Sequence, residues 1–198
     1  MEIVVTVHHA VELVPERGIA HLSARTSASD RAHAVAEATG LANRLAAALR
    51  EANTLKVTVE PLQVYGDHYG RKARHHASVS LVAVFQRPDD IARFQADWAG
   101  IEAVEFGWVQ WELDPATMQA RESEVIAGAF AKAQRRARMI ADAAGMGELT
   151  VLQVVDSQVT PGAMPMLAAA APAESASVDI NPDLVEVAVT LEVRFRAA

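Results

Sequence analysis

The sequence predicts an α+β fold in which antiparallel β-hairpins carry helices packed on a sheet. Three observations support this. β-Branched stretches alternate in polarity, as in Ile3, Val5 and Val7 near the start and Val185, Val187, Val189, Leu191, Val193 and Phe195 near the end. Between such stretches lie segments of helical period. The longest holds an alanine ladder, Ala129, Ala133, Ala137 and Ala141, closed by Ala144. Steps of four place those methyls on one stripe, small enough for a helix to lie close to a sheet. Turn signals punctuate the rest, notably Pro15-Glu16-Arg17-Gly18 and Gly66-Asp67-His68-Tyr69-Gly70.

Taken in order, residues 2–9 form a strand, and residues 19–25 return after the Pro15 turn as an N-terminal hairpin. Ser27, Ser29 and Asp30 offer N-caps for a helix to about residue 52, with Val35, Ala38, Ala42, Leu45, Ala46 and Leu49 at helical spacing. Gly40, in its middle, is expected to permit close packing. Residues 55–65 alternate as a strand, which Pro61 assigns to an edge or a bulge. Residues 77–85 complete a second hairpin. Pro88-Asp89-Asp90 opens a short helix carrying Ile91 and Phe94. Residues 104–113 show two apolar faces, Val104, Phe106 and Trp108 against Val109, Trp111 and Leu113, as an interior strand or an interface would. Asp114-Pro115 starts the long helix of the alanine ladder, to about residue 144. A strand over 150–155 follows. The Ala/Pro-rich segment 158–182 reads as a mobile loop. Residues 184–195 close the chain as a strand whose outer face carries Glu186, Thr190, Glu192, Arg194 and Arg196. The order contains a recurring ββα unit, as an internal duplication would. Length suits one domain over 1–198, or two small lobes.

Composition narrows the function classes. A net charge of −7 argues against nucleic acid as the main ligand. The absence of cysteine excludes disulfides, thiolate metal sites and a cysteine nucleophile. Glu2 and the histidines ending the first apolar run do not suit a signal peptide, and no stretch approaches a membrane span. A cytoplasmic location is the resulting expectation.

The pattern as a whole resembles the SIMPL domain family (DUF541). The residues that carry the likeness are the Pro15-Glu16 turn, the helix after Thr26-Ser27-Ala28-Ser29-Asp30, and paired strands ending at Gln86-Arg87-Pro88-Asp89. The alanine-rich helix over 129–145 then runs into Leu149-Thr150-Val151-Leu152-Gln153-Val154-Val155-Asp156, and an alternating strand ends the chain. Three features depart from the family pattern: members are often exported whereas the start of this sequence does not read as a leader, His8-His9-Ala10 stands where glycine is common, and Pro182-Asp183-Leu184 introduces the last strand in place of Pro-Gly-Glu. The resemblance implies an α+β fold that self-assembles. It also implies links to stress tolerance and, in animals, to signalling through a kinase partner. It implies no catalytic residues and no cofactor.

Seven histidines raise the question of a metal. His8-His9 and His75-His76 are neighbours, and neighbours on a strand point to opposite faces, so neither pair chelates through both rings. A site needs one histidine from each of several strands, for which His8, His21, His68 and His75 are the candidates. The basic segment from Asp67 to His76 reads as a solvated hairpin tip that protects an edge, with an anion- or partner-binding loop as the alternative. Lys132, Arg135, Arg136 and Arg138 follow Glu122 and Glu124 along the long helix, the order its dipole favours. Asp89/Asp90 and Glu102/Glu105 fit helix starts and surface. No nucleophile elbow, phosphate loop or dinucleotide fingerprint is present.

Of the three tryptophans, Trp108 and Trp111 lie three positions apart and so face opposite sides of a strand; the expectation is either core packing for both or one in the core and the other at an oligomer interface. The expectation is therefore a non-enzymatic homo-oligomer or partner-binding protein. The alternative is a small-molecule or metal-binding module that uses histidines near the sheet.

Overall fold

The computed structural model describes residues 1–69, 72–156, 160–161 and 182–198, with backbone only at 68–69, 72–73 and 160–161. The elements run β1 (Glu2–Leu13), β2 (Arg17–Ala28), α1 (Arg31–Glu51), β3 (Thr54–Val59), β4 (Gln63–Tyr69), β5 (Lys72–Phe85), α2 (Pro88–Trp98), β6 (Val104–Glu112), α3 (Pro115–Ala143), β7 (Leu149–Asp156), β8 (Thr160–Pro161) and β9 (Val185–Ala197). Strand pairing is antiparallel throughout, and the α+β class stands as expected. No helix among the described residues is long and apolar enough to cross a membrane. Apart from 160–161 and 182, the Ala/Pro-rich segment 158–182 lies outside the described residues.

The elements divide into two compact units. The first comprises the described residues of Met1–Val14, Leu113–Pro165 and Leu184–Ala198. Its sheet has the order β1-β9-β7, with β8 also on β9. Ile3, Val5 and Val7 of β1 and Val187, Val189, Leu191, Val193 and Phe195 of β9 point to one face and are buried. Onto them α3 lays Val125, Ala129, Ala133, Ala137 and Ala141, all buried. A row of methyls lets the helix backbone approach the sheet closely. Ala144 is exposed and forms the C-cap instead of closing the buried stripe. Gly145, at φ 73°, ends the helix, and the Met146 N–H donates back to the Ala141 carbonyl at 2.9 Å. Asp114 caps the other end by accepting from the Ala116 N–H at 2.9 Å.

The second unit is built on Pro15–Glu112, with strand order β3-β5-β2-β6 and β4 also on β5. Helix α1 covers one face through Leu41, Ala42, Leu45, Ala46 and Leu49, packed on Leu22, Ala24, Leu81, Ala83 and Phe85. Asp30 caps α1, its side chain accepting from the His33 N–H at 2.9 Å. Ile91 and Phe94 of α2 join the same core. The buried Asp90 carboxylate accepts from Arg87 at 3.0 and 3.1 Å and from Asn53 at 3.4 Å, which ties the start of α2 to the turn after α1. Those hydrogen bonds, Arg87's foremost, hold the carboxyl below its usual range against the opposite push of burial.

Three expectations meet a different outcome. β1 and β2 do not form a hairpin: β1 pairs with β9, and β2 lies between β5 and β6 of the other sheet. Local turn chemistry is readable in sequence, but a strand's partner is chosen by burial across the whole chain. Gly40 is exposed and a Cβ there would meet nothing within 4 Å, so it permits no close packing. And β6 is the outermost strand of its sheet, not an interior one.

The Gly40 surroundings predict that Gly40→Ala raises unfolding stability by about 1 kcal/mol, because helix propensity changes and no contact does. In the alanine stripe the sign reverses. Ala133→Leu overfills the α3–sheet contact and is expected to lower stability by about 1–3 kcal/mol. Denaturant melts of both variants, read as midpoint shifts at constant m, check the pair.

Candidate functional site

Two surfaces carry unusual side-chain arrangements, one on each unit. On the second unit the sheet face opposite α1 is open, and its centre is shaped by a β-bulge. Ala20 pairs with Val109 and Leu22 with Phe106, so Gly107 and Trp108 together stand opposite His21. The extra residue breaks the alternation of β6. Phe106, Val109 and Trp111 therefore all pack on the α1 side, and Trp108 is turned onto the open face. This is why two apolar faces were legible in a strand that has only one. Gly107 suits the bulge because a Cβ there would stand 3.1 Å from the His21 carbonyl oxygen.

Trp108, 51% exposed, stacks on the His21 ring with centroids 4.0 Å apart and planes at 18°. Beside the stack lies a shallow depression of about 240 Å³. His21, Ser23, Arg25, Glu60, Ser80 and Glu105 line it, and Arg25 meets Glu105 at 2.7 Å. Burial under the indole pushes the His21 imidazole below its ordinary pKa, and the nearby Glu60 carboxylate opposes that only in part. Further along the same face Tyr65 stacks on His76 at 4.9 Å, with His76 Nε2 3.4 Å from the Asp67 carboxylate. A neutral imidazole between an indole and a guanidinium–carboxylate pair suits the binding of a flat or polar group.

On the first unit, α3 lies over β1 and β9 and barely reaches β7. Along that margin runs a groove of about 420 Å³ lined by Gln134, Arg135, Arg138, Met139 and Leu149. Next to it β7 leaves Val151, Leu152, Val154 and Val155 between 39% and 48% exposed. Arg138 donates to the Gly147 carbonyl, and Lys132 Nζ to the His8 carbonyl at 3.0 Å, so two of the basic side chains of α3 tie down neighbouring backbone.

The histidines fall as follows. His8 is on β1 of the first unit, its Nδ1 3.2 Å from the Thr190 hydroxyl. His21 and His75 are in the second unit. His75 pairs with Ala28, seven residues along β2 from His21, a separation of roughly 23 Å at strand rise. His75 packs beside Gly66 on β4. The His68 side chain, like Gly70 and Arg71 of the basic hairpin tip, lies outside the described residues. Among the described residues no three His, Asp or Glu side chains gather as a metal site would require. His9, which the sequence did not single out, lies over Gly128 of α3, where a Cβ would stand 2.5 Å from its Nε2. Trp111 is partly buried on the core near Gly18 and Ile91.

The His21–Trp108 stack is the feature that strand alternation missed. The signal was present in Gly107, a lone glycine inside a strand pattern, which marks a bulge.

The SIMPL family model, described as a protein of unknown function (DUF541), matches residues 3–195. No curated protein matches the chain.

The His21 environment has a pH signature. Folding holds the imidazole neutral at pH values where the unfolded chain, titrating near 6.5, takes up a proton, so the unfolded state binds more protons there. Stability is full above about pH 6.5 and falls as pH drops toward the lowered folded value. Melting temperatures of the parent and His21→Gln between pH 8 and pH 5 are expected to converge at the acid end, with the slope near pH 6 reduced in the variant.

Proposed function

This chain belongs to the SIMPL family (DUF541), matched from residue 3 to 195, and from that premise we propose that it acts without catalysis, by assembling with copies of itself and presenting surfaces to protein partners. The observation that carries this reading is the apolar row on β7. Val151, Leu152, Val154 and Val155 lie within five residues of an outermost strand, all substantially exposed. An edge strand that no other strand covers among the described residues, with apolar side chains exposed along it, invites another chain, because it offers both apolar area and backbone hydrogen-bonding groups.

Trp108 is a second contact candidate. Its ring is already held flat by His21, so little side-chain freedom is lost when a partner covers it. Of the two candidate tryptophans, Trp108 is the exposed one, and Trp111 is partly buried against the core. The assembly is expected to be closed and symmetric, as most homo-oligomers are.

Native mass spectrometry and light scattering across a concentration series test the reading. A defined multiple of the chain mass is the expected result. A monomer at every concentration up to about 100 μM, a Kd limit equivalent to about 5.5 kcal/mol, overturns self-assembly. Trp108→Ala is expected to weaken a contact that uses the ring by about tenfold or more. An unchanged dissociation constant removes Trp108 from the interface.

A further inference from the structure

The open face of the second unit carries a row of side chains whose hydrogen-bonding capacity is one-sided. Glu105 of β6 pairs with Ser23 of β2, and Ser23 pairs with Ser80 of β5. The Glu60 N–H donates to the Ser80 carbonyl at 2.9 Å, which sets Glu60 next in line. The row thus runs carboxylate, hydroxyl, hydroxyl, carboxylate across the sheet, over roughly 14 Å at the usual strand spacing. All four residues line the depression of about 240 Å³, with His21 on one side of the row along β2 and Arg25 on the other.

Charge decides what kind of ligand these groups take. Arg25 is the sole lysine or arginine among the lining residues, and Glu105 already holds it at 2.7 Å. Glu60 has no ionic partner among the described residues. Its carboxylate leaves the depression with an uncompensated negative charge, in a chain of net charge −7. An anionic ligand meets repulsion there, and a cationic one is drawn in.

Hydrogen bonding points the same way. Among the described residues the Ser23 and Ser80 hydroxyls make no hydrogen bond with another protein group. A carboxylate only accepts, a hydroxyl has two lone pairs for one proton, and a neutral imidazole keeps one nitrogen as an acceptor. The depression is therefore rich in acceptors, and its one charged donor is engaged by Glu105. A ligand that satisfies it brings N–H groups. Beside it the Trp108 indole, half-exposed and backed by His21 at 4.0 Å, offers a flat apolar surface whose π face attracts an organic cation.

We propose that this face binds a small organic ammonium ion, its N–H groups donated to Ser23, Ser80 and Glu60 and its carbon body lying on the Trp108–His21 stack. The depression is smaller than the pocket of a drug-sized ligand, which fits a single small amine. A neutral polyol brings as many acceptors as donors and makes no use of the Glu60 charge. The site stands apart from the β7 row that carries the association reading.

The chain has three tryptophans, so a proton–nitrogen correlation spectrum holds three indole N–H signals, and Trp108→Phe assigns one of them. The probe is phenethylamine, an ammonium ion at neutral pH. Phenethyl alcohol has the same ring and length without the charge, and phenylacetate has the opposite charge. The Trp108 signal is expected to shift saturably with the amine, at a Kd of about 1 mM or below, while those of Trp98 and Trp111 stay in place. The alcohol is expected to bind about tenfold more weakly, and phenylacetate not to bind. Glu60→Gln, at an exposed position, is expected to keep the melting curve, to weaken the amine by about threefold to tenfold and to leave the alcohol unchanged.

No saturable shift up to about 20 mM amine overturns the site. Equal affinity for amine and alcohol, or an amine affinity that ignores Glu60→Gln, overturns its assignment to a cation.

Discussion

β1 and β9 run side by side from Glu2 opposite Arg196 to Leu13 opposite Val185 and bring the two ends of the chain into one sheet. Closing so long a loop costs entropy that grows only slowly with length, and a long ladder with one buried face offsets it. The alternating apolar face of the pair is the platform on which α3 lies. Without that platform the alanine stripe has nothing to bury against, since methyls are too small to form a core among themselves. β9, held between β1 and β7, also gives β7 its inner partner, and among the described residues β7 is the last strand on that side of the sheet.

The two units use small residues to different ends. In the first, Ala129, Ala133, Ala137 and Ala141 bring a long helix close to a sheet, and the cost is narrow coverage: α3 spans β1 and β9 and leaves the valines of β7 in the open. In the second, α1 alternates alanine with Leu41, Leu45 and Leu49, while α2 adds Ile91 and Phe94, and together they cover the helix side of the sheet. Its open side is the unusual one. A single inserted residue in β6 gathers three large apolar side chains onto the core and puts the Trp108 indole on the other face against His21.

Bulges at Gly107-Trp108 and at Leu152 therefore shape both of the surfaces that bear on function. Each re-aims side chains by shifting a strand's parity. One builds a stacked pair beside a polar depression, and the other sets Val151 and Val154 on one face of their strand. Both leave apolar or aromatic side chains exposed.

The sequence by itself determined the helices, their caps and their buried faces, because these depend on neighbours three and four residues away. Asp30 and Asp114 cap as their positions imply, and the alanine stripe is buried through Ala141. It likewise determined the alternating face of β9 and the family to which the chain belongs. Tertiary structure decided which strands are partners, since pairing is a competition among all edges for burial. It took β1 away from β2, a neighbour in sequence, and gave it to β9 at the far end of the chain. Tertiary structure also decided the strand parity at the two bulges, because an inserted residue is defined only against the strand opposite. His21 and Trp108, 87 positions apart in sequence (108 − 21), meet for that reason, and Val151 and Val154 come to share a face for the same one.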